Sequence, residues 1–81
     1  MSKVTVYSTT WCGFCHQLKT WLKGLDVEFD EIDIEENTDA GREVVEATKQ
    51  MGVPVTKVGE KYIVGFDRPN LEEALKNEKL I

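Results

Sequence analysis

The chain has 81 residues, of which 41% are hydrophobic, and a formal net charge of −5. That length predicts one domain over residues 1–81 with a modest core, and the apolar share excludes a disordered tail. No run of 18 apolar residues occurs and the opening MSKVTVYSTT lacks the apolar stretch of a signal peptide, so the expectation is a cytoplasmic protein that does not engage membranes.

Acid is concentrated in one segment. Residues 28–46 hold nine acidic residues against a single base, Arg42. Such a surface repels nucleic acid. It reads either as a solvated face that keeps the protein soluble or as a charged rim that selects partner proteins.

In chain order, Lys3 to Ser8 alternates valines with Thr5 and Tyr7 and predicts a strand. A loop carrying both cysteines follows. Phe14, Leu18, Trp21, Leu22 and Leu25 then recur at helical spacing, which predicts a helix starting at or just after Cys12 and stopping near Gly24. Trp21 reads as core. Val27 to Ile34 predicts a second strand, with a bend or two-sided burial between Phe29 and Ile32. Asn37, Thr38 or Asp39 would cap a second helix with Ala40, Val44, Ala47, Thr48 and Met51 inward and Gly52 at its end. Val53 to Val58 and Tyr62 to Val64 predict two more strands, joined by a glycine-first hairpin at Gly59-Glu60. Asn70 would cap the last helix, with Glu73 completing a capping box. The order β-α-β-α-β-β-α places a right-handed βαβ unit beside an antiparallel hairpin.

The two thiols, Cys12 and Cys15, lie in TTWCGFC. A structural zinc site needs four ligands, and the chain offers two sulfurs and His16. His16 follows Cys15 directly and turns about 100° away on a helix, so the two do not share an ion. A dimer could still pool four thiolates. As a staple, so short a loop removes little chain entropy, and the cytosol would reduce it. Reversible thiol chemistry fits best. A cysteine at a helix N-terminus meets unpaired N–H groups and the helix dipole, both of which favour a thiolate, and Cys15 stands one turn away to reach it. Lys19, a turn beyond Cys15, is either a further source of thiolate character or a solvated lysine. Trp11, beside the exposed thiol, suits contact with a partner protein.

These residues resemble the glutaredoxin branch of the thioredoxin superfamily over essentially the whole chain. The likeness runs through VYSTTWCGFC, Leu18-Lys19, GVP at 52–54 and YIVGFD at 62–67. It implies an α/β thioredoxin-like fold, a four-stranded mixed sheet of order 2-1-3-4 flanked by three helices. It implies that Cys12 attacks and Cys15 resolves, that Pro54 is a cis-proline facing them, and that the Val53 backbone pairs with a substrate strand. Gly65 and Asp67 would line the groove for the thiol or peptide, within a substrate-binding set of Thr10, Trp11, Gly13, Phe14, Lys19, Val53, Pro54, Gly65, Phe66 and Asp67, with no metal. Thr9, Gly13-Phe14, Val64-Gly65 and Asp67-Arg68 depart from the pattern of many glutathione-using members. TTWCGFC looks close to mycoredoxins, which use mycothiol, and QMGVP and GFDRP to redoxins that serve ribonucleotide reductase. The resemblance therefore implies a monomeric dithiol oxidoreductase acting on protein disulfides or mixed disulfides. It would have no tightly bound cofactor and be recycled by mycothiol, glutathione or a flavoprotein reductase. Two alternatives are a redoxin that donates electrons to ribonucleotide reductase and draws on thioredoxin reductase, and a dimeric iron–sulfur carrier bridged through Cys12.

Overall fold

The computed structural model describes residues 3–9, 12–49 and 54–81. Seven elements follow one another: β1 (Val4–Ser8), α1 (Gly13–Gly24), β2 (Asp30–Asp33), α2 (Thr38–Thr48), β3 (Val55–Val58), β4 (Lys61–Val64) and α3 (Arg68–Asn77). The sheet order is β2-β1-β3-β4. β1 and β2 run parallel, with Ser8 opposite Asp33, and β3 pairs antiparallel with both β1 and β4. Fold, element order and strand order are those expected from the sequence.

Strand alternation divides the core between the two faces of the sheet. Val4, Val6, Val58 and Ile63 meet Leu18 and Leu22 of α1 and Leu71, Ala74 and Leu75 of α3. Tyr7 and Val55 point the other way and meet Ala40 and Val44 of α2. Phe29 packs on the first cluster while Ile32 and Ile34 pack on the second, which is the two-sided burial expected there. The hairpin turns at Gly59 with φ +62°, and Val58 and Lys61 close the ladder around the two-residue loop.

Several boundaries differ from the sequence reading. β2 begins at Asp30 rather than Val27, because the Val27 amide donates to Leu22 O at 3.1 Å and the segment serves as the end of α1. On α1 the buried line is Cys15, Leu18 and Leu22. Phe14, Trp21 and Leu25 share a flank of that line; Phe66 and Arg68 cover Trp21, while Phe14 is 64% and Leu25 37% exposed. Trp21 is thus packed against the core at its margin, and Phe14 and Leu25 are not core residues. Asn37 caps α2, its Oδ1 accepting from the Ala40 amide at 3.1 Å. The helix ends at Thr48, where Lys49 takes the left-handed conformation and donates to Val45 O, so Gly52 is not its stop and Ala47 is exposed. Met51 and Gly52 lie outside the described residues. α3 starts three residues earlier than predicted. Pro69 sits in its first turn, where no N–H is needed, and the cap is Asp67 rather than Asn70.

Candidate functional site

Parallel pairing of β1 with β2 and antiparallel pairing with β3 bring four chain segments to one end of the sheet. Ser8 ends β1 there; Tyr7 pairs with Val55, the first residue of β3, and Val55 pairs with Val64, the last of β4. Thr9 and Cys12 therefore share this end with Pro54 and Gly65.

Cys12 is the N-cap of α1, with extended backbone (φ −88°, ψ 113°), so it stands just outside the helix. Its sulfur accepts the Cys15 amide hydrogen at 3.1 Å. The thiol thus fills the role that a serine or aspartate oxygen usually plays in satisfying a free N–H at a helix start. A sulfur bearing negative charge accepts that hydrogen better than a neutral one. The Cys12 carbonyl accepts from His16 and its amide donates to Thr9 O at 3.4 Å, anchoring the residue at both ends. Both cysteines are free thiols.

Cys15 differs in every respect. It sits inside the first turn, faces the core and is 1% exposed. Burial, which penalises the charged form, together with hydrogen bonding to Cys12, pushes its thiol up to about 12. The negative charge of Cys12 adds to this, while a backbone hydrogen bond with Thr9 and the positive charge of Lys19 act against it. One cysteine is half-exposed at a helix tip and the other is held as a protonated thiol beneath it.

The other predicted site residues fall into three groups. Pro54 is fully buried and its carbonyl accepts from the Gly65 amide at 2.8 Å, tying the entry of β3 to the turn after β4. Gly65 has φ +80°, and no atom lies within 4 Å of where a Cβ would stand, so the space above it is open. Gly13 is open in the same sense, and Phe14 beside it is largely exposed. Phe66 is half-buried, edge-on to Trp21 at 5.9 Å, with the Arg68 guanidinium 5.9 Å from the same ring. Asp67 is bound up in capping: Oδ1 accepts the Asn70 amide at 3.4 Å and Oδ2 the Asn70 side-chain amide at 2.6 Å. Lys19 donates to Glu31 Oε1 at 2.9 Å. Thr10, Trp11 and Val53, and with Val53 the peptide bond to Pro54, lie outside the described residues.

Two contributors escaped the sequence reading. Thr9 is 8% exposed, contacts both cysteines through its backbone, and carries a hydroxyl without a hydrogen-bond partner. Glu31 binds Lys19 across the strand–helix gap. A backbone contact leaves no mark on residue type, and one acid among nine has no distinguishing spacing. Glu31, Asp33, Glu36 and Asp39 border a depression where β2 leads into α2, and the cysteines take no part in it. Among the described residues, no group of three or more histidine, cysteine, aspartate or glutamate side chains is placed to hold a metal ion. Nor is any described helix long and apolar enough to cross a membrane.

Such an arrangement, a strand running into a thiol-capped helix with a second thiol buried one turn in, defines a thiol redox protein on a thioredoxin-like scaffold. The glutaredoxin family model matches residues 4–63, and the chain belongs to the glutaredoxin family. A glutaredoxin from Pseudomonas aeruginosa is 30% identical over 82 residues, covering 100% of this chain and 98% of its own length. Mycoredoxin 1 from Corynebacterium glutamicum is 50% identical over 42 residues, a match that spans 51% of this chain and 49% of that protein. The crystal structure of a glutaredoxin from Archaeoglobus fulgidus superposes with a TM-score of 0.83 at 27% identity, covering 94% of this chain and 88% of that one.

Proposed function

We propose that the protein is a dithiol thiol–disulfide oxidoreductase. Cys12 sulfur, as thiolate, attacks a protein disulfide or a mixed disulfide of a small thiol. One S–S bond breaks, a new one forms to Cys12, and the displaced sulfur leaves and takes up a proton. Cys15 then gives up its proton and attacks the Cys12 sulfur. The captured group departs as a free thiol, and a Cys12–Cys15 disulfide remains. Two electrons from a low-molecular-weight thiol such as mycothiol or glutathione, or from a flavoprotein reductase, restore both thiols. The reading takes the protein to be a cytoplasmic monomer of one domain. Exposed Phe14 and the open backbone at Gly13 and Gly65 would meet the substrate.

The observation that carries this reading is the asymmetry of the pair. Cys12 caps the helix and receives an amide hydrogen, while Cys15 is buried with its thiol pushed up to about 12. An accessible sulfur suits capture, and a buried one suits a resolving step that runs only once the first has reacted. Comparison of variants on a disulfide substrate tests it. Cys12→Ser should lose all reductase activity, and Cys15→Ser should accumulate mixed disulfides through Cys12, visible by mass. Activity retained in Cys12→Ser would overturn the assignment. Turnover by the wild type with NADPH and either glutathione plus its reductase, mycothiol plus its reductase, or thioredoxin reductase identifies the electron donor.

A further inference from the structure

Lys19 stands one helical turn after Cys15 and two after Cys12, on the flank of α1 that carries both cysteines. Its ammonium is not free in solvent. It donates to Glu31 Oε1 at 2.9 Å, with the lysine side chain 22% and the glutamate 46% exposed. Glu31 belongs to β2, where it pairs with Val6 of β1. The contact therefore latches the cysteine-bearing helix to the parallel edge strand, beside the strand that leads into the site. The groups acting on the Cys15 sulfur are Cys12 from the helix start, the Thr9 backbone from the end of β1, and Lys19 from α1 itself.

We propose that Glu31 tunes the resolving step, offsetting part of the charge that the Lys19 ammonium presents to Cys15. The inference rests on the dithiol reading given above. In that step Cys15 thiol and the Cys12–S–S–R mixed disulfide become a Cys12–Cys15 disulfide and R–SH, the proton passing from Cys15 to the departing sulfur. Negative charge gathers on Cys15 as the proton leaves, and Lys19 is the cation placed to meet it. Removing Glu31's charge leaves the ammonium unopposed and favours the step. Removing the ammonium leaves the carboxylate unopposed and hinders it. A purely structural latch makes a different prediction, since breaking it from either side would loosen α1 in the same way.

The magnitude is small and measurable. A charge in a partly exposed pair shifts an equilibrium by a factor of about three to five. Nucleophilicity falls as the thiolate is stabilised, so about half of that survives in the rate on a logarithmic scale, giving about twofold. Reduced protein is mixed with excess 5,5′-dithiobis(2-nitrobenzoate) at neutral pH. The first coloured thiolate released reports capture by Cys12, and the second reports displacement by Cys15. Glu31→Gln should speed the second phase about twofold and Lys19→Met should slow it about twofold, with the double variant returning towards wild type. Both single variants moving the second phase in one direction, or neither moving it, would overturn the proposal. Absence of a second phase in the wild type would instead overturn the dithiol reading itself.

Discussion

Burial of Cys15 makes a sharp prediction about its reactivity. Its thiol is raised from 9.0 to about 12, chiefly because a 1% exposed sulfur has lost the water that would solvate its charge. Alkylating agents react with the thiolate alone. At pH 8 a thiol with an ordinary value near 9 is about one-tenth ionised, whereas one near 12 is ionised to about one part in ten thousand. The native Cys15 should therefore alkylate about a thousandfold more slowly than the same residue in the unfolded chain. The Cys12→Ser variant isolates it, because burial is the larger cause of the shift and survives that change. Iodoacetamide incorporation followed by mass spectrometry, with and without denaturant, gives the ratio. Since folding raises the value, the native rate should climb about tenfold per pH unit well beyond pH 9, where the unfolded rate levels off. A native rate within about tenfold of the unfolded one at pH 8, or a plateau near pH 9, would refute the argument that burial silences this thiol.

Two further outcomes test the local geometry. Gly65→Ala forces a side chain into φ +80° although the space above it is empty, so thermal unfolding should register a loss of about 1 kcal/mol from backbone strain alone. Gly13→Ala, in the first turn of α1 with equally open space, should instead be neutral or mildly stabilising, and equal effects at the two sites would count against the strain argument. Asp67→Asn preserves a good cap for α3 and should leave stability nearly unchanged, whereas Asp67→Ala should cost about 1 kcal/mol in denaturant titration. Matching losses in the two Asp67 variants would show that charge, not the capping hydrogen bond, is what matters there.

Much of this was legible in the residues. Alternation in Lys3 to Ser8 and in the hairpin, helical spacing from Leu18 to Leu22, and Asn37 as a cap are local signals, and local signals report local structure. Misreadings arose where a distant contact decided, as at Phe14, or where two local signals competed. Phe14 and Trp21 carry the same periodic signal, but Phe66 and Arg68 arrive from the far end of the chain to cover only Trp21. Val27 to Phe29 has strand-like residues, yet the end of α1 claims the Val27 amide first. Asn70 and Asp67 are comparable caps by residue type, and Pro69 between them tips the start to Asp67. Within the site, the cysteine pair announced itself by spacing. The Thr9 backbone contacts and the pairing of Lys19 with Glu31 depend on which strand lies beside the helix, and spacing along the chain does not state that.

The spacing of the two cysteines also explains what surrounds them. Each helical residue turns about 100° from the last, so a third residue on from the cap has come most of the way round. Cys12, outside the helix, holds its sulfur at the tip. Cys15, three residues on, is turned onto the line of Leu18 and Leu22 and is buried with them. Gly13 and Phe14, between them, must then face away from the core, and both are exposed. An accessible sulfur at the tip, a buried thiol beneath it and two exposed residues between them are thus one geometric consequence of C-x-x-C at a helix start. Exchanging Phe14 and Cys15 would rotate the second sulfur about 100° off the buried line. It would then be solvated rather than desolvated, and the burial that raises the Cys15 thiol would be lost.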